Sequence, residues 1–102
     1  MQTFESLRTI EADHPALAGH FPGNPVVPGV VILDCVLQAL QEWLTDAVTT
    51  QVQDAKFISP LLPNEPMQIR LGLRDEQHAG FECRVADRLV AQGRLTLQRK
   101  GA

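Results

Sequence analysis

The sequence predicts an α+β fold in which an antiparallel sheet of five or six strands surrounds one central helix. Residues 30–44 form the one long apolar stretch without proline or glycine, and their apolar positions cover most of a helical circumference. From residue 51 onward, apolar and polar residues instead alternate in short runs between turn signals, as they do in antiparallel strands. A helix that is apolar on nearly all sides needs cover, and one curved sheet supplies it.

The first half of the chain is expected to contain a strand, a rigid loop and the helix. The strand is predicted over residues 2–12, and Pro15 biases the residue before it away from helix. Residues 19–29 hold three prolines and three glycines, which indicates a turn-rich loop. The helix is expected from Val30 to about Leu44 and is expected to be buried on nearly all sides. Its few polar residues fall at helical spacing on one stripe: Asp34, Gln38, Gln41, Glu42 and Thr45.

The second half is expected to form strands over residues 52–58, 67–74, 81–85 and 89–97. Two prolines after the first of these strands mark a bend. A polar turn is expected at residues 75–80 and a tight turn at Asp87-Arg88. Because no repeat, low-complexity run or linker interrupts the chain, we expect a single domain over residues 1–102.

Composition limits the function classes. The net charge of −3 does not suit a nucleic-acid binder, which usually carries a basic face, and no apolar run reaches membrane-spanning length. The N-terminus lacks the basic and apolar segments of a signal peptide, so a cytoplasmic protein is expected. Cys35 and Cys83 show no metal-ligand spacing, and we interpret them as buried thiols that act as small hydrophobes. No metal and no cofactor is expected.

The loop and the start of the helix bring three kinds of chemistry into a short piece of chain. His20 offers a base near neutral pH, Asp34 lies about a turn into the helix, and Gly29 stands at the helix N-terminus, where backbone N–H groups are unpaired. Each has a plain structural interpretation as well. His20 could bond the backbone of its loop, Asp34 could face solvent on the polar stripe, and Gly29 could be a simple turn glycine.

These residues resemble a known enzyme signature. The run from His20 through Phe21, Pro22 and Gly23 to Pro28-Gly29, with Asp34 and Gln38 behind it, resembles that of the 3-hydroxyacyl-(acyl carrier protein) dehydratases. The segment 55–63, in which a basic-aromatic pair precedes a proline bend, resembles a second part of that family. Members have the hot-dog fold, a sheet wrapped around a central helix. The short form resembles the dehydratases of specialised acyl pathways such as aryl polyene synthesis.

The resemblance implies an activity and roles for the site residues. A 3-hydroxyacyl group on acyl carrier protein would lose water to give the trans-2-enoyl thioester, with His20 taking the C2 proton and Asp34 assisting loss of the hydroxyl. Gly29 would bind the thioester carbonyl through its backbone N–H, and Val30 could offer a second N–H. Gln38 would hold Asp34, although an exposed polar residue is an equally good interpretation. Phe21 and Pro22 would shape the pocket and make the loop rigid.

The resemblance also implies a homodimer or higher even oligomer, because the family assembles each site from His20 of one subunit and Asp34 of another. Two features depart from the family pattern. Asp34 stands where glutamate is commonest, and the proline bend has Asn64 where glycine is typical.

Two alternative functions remain open, a non-catalytic acyl-binding hot-dog partner subunit and, less favoured, a hot-dog thioesterase. A group of basic residues could form a docking surface for an acidic carrier protein or could simply be solvated strand faces: Arg70, Arg74, Arg84, Arg88, Arg94, Arg99 and Lys100.

Overall fold

The computed structural model describes residues 2–17 and 26–100. In chain order the elements are β1 (Thr3–Arg8), a 3₁₀ turn (Pro15–Leu17), α1 (Gly29–Trp43), β2 (Ala47–Phe57), β3 (Met67–Asp75), β4 (His78–Val85) and β5 (Arg88–Arg99). The five strands form one sheet in the order β1-β3-β4-β5-β2, and every neighbouring pair is antiparallel. The predicted antiparallel sheet with one helix is confirmed.

The core lies between α1 and the inner face of the sheet. The helix buries one face, on which Val36 and Ala39 are fully inaccessible to solvent. Strand β3 contributes its buried alternate residues to the same core: Met67, Ile69 and Leu71. Burying a side chain of this size contributes about 1.5–3 kcal/mol, so the helix owes its stability to this face. At its far end the ring of Trp43 stacks on Phe4 of β1, with ring centroids 5.9 Å apart.

The expectation that the helix is buried on nearly all sides is wrong for the single chain. Val30 is 73% exposed, and the polar stripe that follows it along the helix is exposed as well. Within the described residues, the sheet covers one side of α1 and no element covers the polar stripe. We call this exposed side, which includes Val30, Asp34 and Gln38, the open face of α1.

The strand limits differ from those expected. β1 ends at Arg8, β2 begins at Ala47, and β4 begins at His78. Gly80 looked like a turn residue, but it lies inside β4 and pairs with Gly72 of β3. The turn between β4 and β5 is Ala86-Asp87 rather than Asp87-Arg88, one residue earlier than expected.

Asn64 explains how the chain makes its proline bend without the usual glycine. Its φ is 69°, in the left-handed region that favours glycine, and asparagine tolerates that region better than most residues. Its N–H donates to the carbonyl oxygen of Ile10 at 2.7 Å, which ties the bend to the segment after β1. Asparagine therefore allows a left-handed backbone at this bend without glycine.

In the described part of the chain, no helix is both long enough and apolar enough to span a membrane.

Gly93 permits the closest packing within the sheet. A Cβ atom there would overlap the backbone oxygen of Asp54 on β2 and would lie 2.5 Å from the ring of Phe81 on β4. Glycine is therefore required at this position, because β5 pairs there with both β2 and β4 and the Phe81 ring lies directly against residue 93.

We expect Gly93→Ala to lower the free energy of unfolding by about 1–3 kcal/mol, because the methyl group overpacks the site against backbone that cannot move aside. Gly80→Ala is the matched control, since a Cβ at Gly80 would meet nothing nearer than 3.7 Å. Chemical denaturation of both variants tests this, and equal stabilities would contradict it.

Candidate active site

The N-terminus of α1 is held against the segment that follows β2. Val27 donates its N–H to the carbonyl oxygen of Leu61 at 2.8 Å, and Pro28 has an extended backbone with φ −60°. The first helical bond runs from the N–H of Val31 to the carbonyl oxygen of Pro28 at 3.0 Å. The amides of Gly29 and Val30 therefore precede the helical ladder, at the positive end of the helix dipole.

A cleft of about 420 Å³ opens beside this helix end. Residues 26–29 and Ile32 line one side, and residues 57–61 line the other. Apart from the hydroxyl of Ser59, its side chains are apolar, which suits an acyl chain and excludes a charged ligand from its depth. Within the described residues the lining carries no titratable side chain.

Phe57 packs directly on Gly29. A Cβ atom on Gly29 would lie 2.9 Å from Cζ of the Phe57 ring, so glycine at the first position of α1 leaves room for this ring. Phe57 is 48% exposed and forms part of the cleft. Gly29 is therefore more than a turn residue, and Phe57 is a cleft residue that the sequence analysis did not assign. The basic-aromatic pair at Lys56-Phe57 was the signal that pointed to it.

Asp34 lies on the exposed stripe of α1, where its carboxylate is hydrogen-bonded to Gln38. The amide nitrogen of Gln38 donates to Oδ2 of Asp34 at 2.9 Å, one helical turn away. This bond fixes one oxygen of the carboxylate and leaves the other available. The interpretation of Gln38 as the residue that holds Asp34 agrees with this geometry.

The structure does not bring Asp34 to the cleft of its own chain. Asp34 follows Gly29 by five residues, which places the two about 140° apart around the helix. Ile32 points into the cleft, whereas Asp34 points away from it on the exposed stripe. His20, Phe21 and Pro22 lie outside the described residues.

The two cysteines are buried in the core, as interpreted from the sequence. Burial raises the pKa of the Cys83 thiol to about 12 and raises the pKa of the Cys35 thiol as well. Both therefore stay protonated at neutral pH and are poor nucleophiles.

The outer face of the sheet carries a larger groove of about 820 Å³, and half of its lining residues are charged. It lies on the side of the sheet away from α1, so it is separate from the helix end. Five of the seven candidate docking residues are engaged in ion pairs: Arg70–Glu5, Arg84–Glu82, Arg88–Glu65, Arg94–Asp54 and Arg99–Asp46. This pairing offsets most of their charge and favours the interpretation as solvated strand faces.

The model of the ApeI-like family, described as ApeI dehydratase, matches residues 1–94. The chain belongs to the ApeI-like dehydratase family. A dehydratase heterocomplex, ApeI:P from Xenorhabdus doucetiae, is similar in structure to this ApeI-like chain, with a TM-score of 0.83 and 23% sequence identity over 95% of this chain and 88% of that one. The hot-dog fold is therefore confirmed. Solved thioesterases share the same fold.

Curated relatives of the ApeI-like chain carry the name 3-hydroxyacyl-(acyl carrier protein) dehydratase FabZ. The protein from Ehrlichia chaffeensis is 24% identical over 97% of this chain and 76% of its own length. The protein from Haemophilus influenzae strain PittEE is 27% identical over 72% of this chain. The match covers 55% of the Haemophilus protein, so against this relative the chain spans about half the full length.

We expect Gly29→Ala to destabilise the ApeI-like chain through the Phe57 ring rather than through the helix, because alanine is otherwise the better helix former. Combining it with Phe57→Ala removes the clash. A double-mutant cycle on the free energy of unfolding should give a favourable coupling of about 1 kcal/mol, and strict additivity would contradict the contact.

Proposed function

We propose that this chain dehydrates a 3-hydroxyacyl thioester carried on acyl carrier protein to the trans-2-enoyl thioester. The observation that carries the proposal is an apolar cleft lined by Gly29, the first residue of α1, together with an available carboxylate on the open face of the same helix. Membership of a dehydratase family and curated relatives named as dehydratases support it.

The reaction moves one proton and one hydroxyl group. His20 takes the proton from C2, and the electron pair of that C–H bond forms the C2=C3 double bond as the C3–O bond breaks. The departing hydroxyl takes a proton from Asp34, directly or through a bound water, and leaves as water. The proton held by His20 then returns to the carboxylate through solvent, so the site is restored and no cofactor is consumed.

The helix N-terminus stabilises the charge that develops in this step. As C2 loses its proton, negative charge moves onto the thioester oxygen, where the amides of Gly29 and Val30 would donate to it. Phe57 and the apolar lining exclude water from these bonds and hold the acyl chain. Phe21 and Pro22 would complete the mouth of the pocket.

A second copy of the chain would complete the site. The cleft of one chain lacks a carboxylate among its described lining residues, and Asp34 points away from the cleft. Strand β2 lies at an edge of the sheet with Val48 and Val52 exposed, so it offers backbone and apolar groups to a partner. A homodimer through this edge and the open face of α1 would carry Asp34 of one chain toward His20 of the other.

The pathway is proposed to be a specialised one of the aryl polyene kind, which membership of the ApeI-like family supports. One observation also favours a second candidate, a non-catalytic hot-dog partner subunit. The similar structure from Xenorhabdus doucetiae is a heterocomplex, so a chain of this fold can work beside a different one. An assay of the purified chain alone separates the two candidates, because a partner subunit would release no enoyl product.

We expect His20→Ala and Asp34→Asn each to lower kcat by about 10²–10⁴-fold, the usual contribution of a positioned acid or base. The measurement is mass detection of water loss from a panel of 3-hydroxyacyl carrier-protein substrates. His78→Ala is the control, since His78 bonds Asp75 in the β3–β4 hairpin and should keep full activity. Full activity in His20→Ala would sink the proposal, and release of free thiol without enoyl product would identify a thioesterase.

A mixing experiment tests the shared site. Purified His20→Ala and Asp34→Ala chains should each be nearly inactive alone, but after they are unfolded and refolded together half of the dimers should contain one of each. Each mixed dimer then holds one intact site of two, so activity should return to about one quarter of wild type. A site built within one chain predicts no recovery.

A further inference from the structure

One wall of the cleft is irregular chain rather than sheet. This cleft wall (residues 58–61) follows the end of β2 and faces the helix entry (residues 26–29). The amides of Ile58 and Ser59 both donate to the carbonyl oxygen of Val90, at 2.8 and 3.3 Å, and the wall in turn accepts the amide of Val27 at Leu61. The position of the helix entry therefore depends on the position of this wall.

Arg88, the first residue of β5, binds the wall from outside the cleft. Its Nη1 donates to the carbonyl oxygen of Pro60 and, at 3.3 Å, to the hydroxyl of Ser59. Its Nη2 donates to both carboxylate oxygens of Glu65, at 2.8 and 2.7 Å. The Ser59 hydroxyl itself donates to the carbonyl oxygen of Leu89 at 2.7 Å. One guanidinium thus joins the β4–β5 turn, the wall and the proline bend.

Glu65 holds this guanidinium in place. Its Oε1 accepts the backbone N–H of Leu62 at 2.8 Å, so the carboxylate is fixed from the wall side as well. The Leu62 amide, and after it the Arg88 guanidinium, lower the pKa of the Glu65 carboxyl below its ordinary value. Both side chains are partly buried, with 27% of Glu65 and 38% of Arg88 exposed, so the pair is shielded more than an open surface pair.

The other arginine pairs do not reach the cleft. Arg94 and Asp54, for example, are neighbours in register on β5 and β2, and their bond lies on the outer face of the sheet. Arg88 is set apart because it bonds a backbone carbonyl of the cleft wall itself. The planar guanidinium bonds the wall through Nη1 and Glu65 through Nη2, in a fixed geometry that the single nitrogen of a lysine does not reproduce.

We propose that Arg88 is a positioning residue that fixes the cleft wall against the helix entry and so sets how the site holds the acyl chain. The effect on acyl substrates rests on the proposed function, whereas the effect on the geometry of the wall does not. A longer acyl chain contacts more of the wall, so its binding depends more on Arg88 than that of a four-carbon chain.

The experiment compares Arg88→Gln, Arg88→Lys and Glu65→Gln with Arg94→Gln, which breaks the outer-face pair with Asp54 and serves as the matched control. Two readouts are taken on the full chain. The first is hydrogen exchange of the Val27, Ile58 and Ser59 amides relative to ladder amides of β3. The second is KM and kcat for four-carbon and ten-carbon 3-hydroxyacyl carrier-protein substrates.

In Arg88→Gln we expect the three wall amides to exchange about tenfold faster while the β3 amides are unchanged. KM for the ten-carbon substrate should rise about 3–10-fold with little change for the four-carbon one, and kcat should stay within about twofold. Arg88→Lys should be intermediate, Glu65→Gln should resemble Arg88→Gln, and Arg94→Gln should resemble wild type in both readouts.

The outcomes separate this inference from the proposed function. If the wild-type chain dehydrates no substrate, the proposed function fails, and the amide exchange still decides whether Arg88 fixes the wall. If the wall amides of Arg88→Gln exchange as in wild type, the positioning role is wrong. An equal rise in KM for both chain lengths also overturns it, because a general loss of structure would act on both. Should Arg88→Gln fail to fold, Arg88→Lys and Glu65→Gln give the same two readouts.

Discussion

The rest of the structure depends on the packing of one face of α1 against the inner face of the sheet. Val36 and Ala39 are fully buried in this contact, and the ring of Phe57 lies against the first helical residue, Gly29. The contact fixes the rotation of the helix about its own axis. That rotation turns the side chain of Ile32 toward the cleft and the side chain of Asp34 away from it, because the helical period of 3.6 residues per turn fixes the angle between them.

This division explains why Asp34 and the N-terminus of α1, although close in sequence, do not face one cleft in the described part of the chain. The described lining of the cleft contains no carboxylate, and Asp34 lies away from the cleft. A two-fold pairing of identical chains would bring the Asp34 carboxylate of one chain to the cleft of the other. The open face of α1, with Val30 mostly exposed, and the edge strand β2 are the surfaces that such a pairing would cover. A chain of this size has a small core, so a shared interface is also the natural place for a larger ligand.

Several arginines have a structural role in this molecule that the composition of the chain did not indicate. Arginines that looked like a docking surface are largely paired with carboxylates on the sheet, and the pair between Arg88 and Glu65 ties irregular chain to the end of β5. The thiols of Cys35 and Cys83 are equally structural, since burial keeps them protonated. Among the described residues, the groups that the proposed chemistry would use lie at the N-terminus of α1 and on the open face of that helix.

The sequence by itself determined the class of fold, the start of the helix at Pro28-Gly29 and the alternation of β3, because each follows from local backbone preference and from spacing along the chain. It also identified Asp34, Gln38 and Gly29 as candidates through a local motif. Only the tertiary structure decided that Gly29 makes room for Phe57, that Gly93 lies against β2, and that Arg88 reaches Pro60 and Glu65. These contacts join residues more than twenty positions apart, and their existence depends on strand order and register, which local patterns do not encode. The polar stripe on α1 was visible in the sequence, but its exposure in the described chain was not decided there, since apolar content shows that a helix needs cover but not whether its own chain provides it.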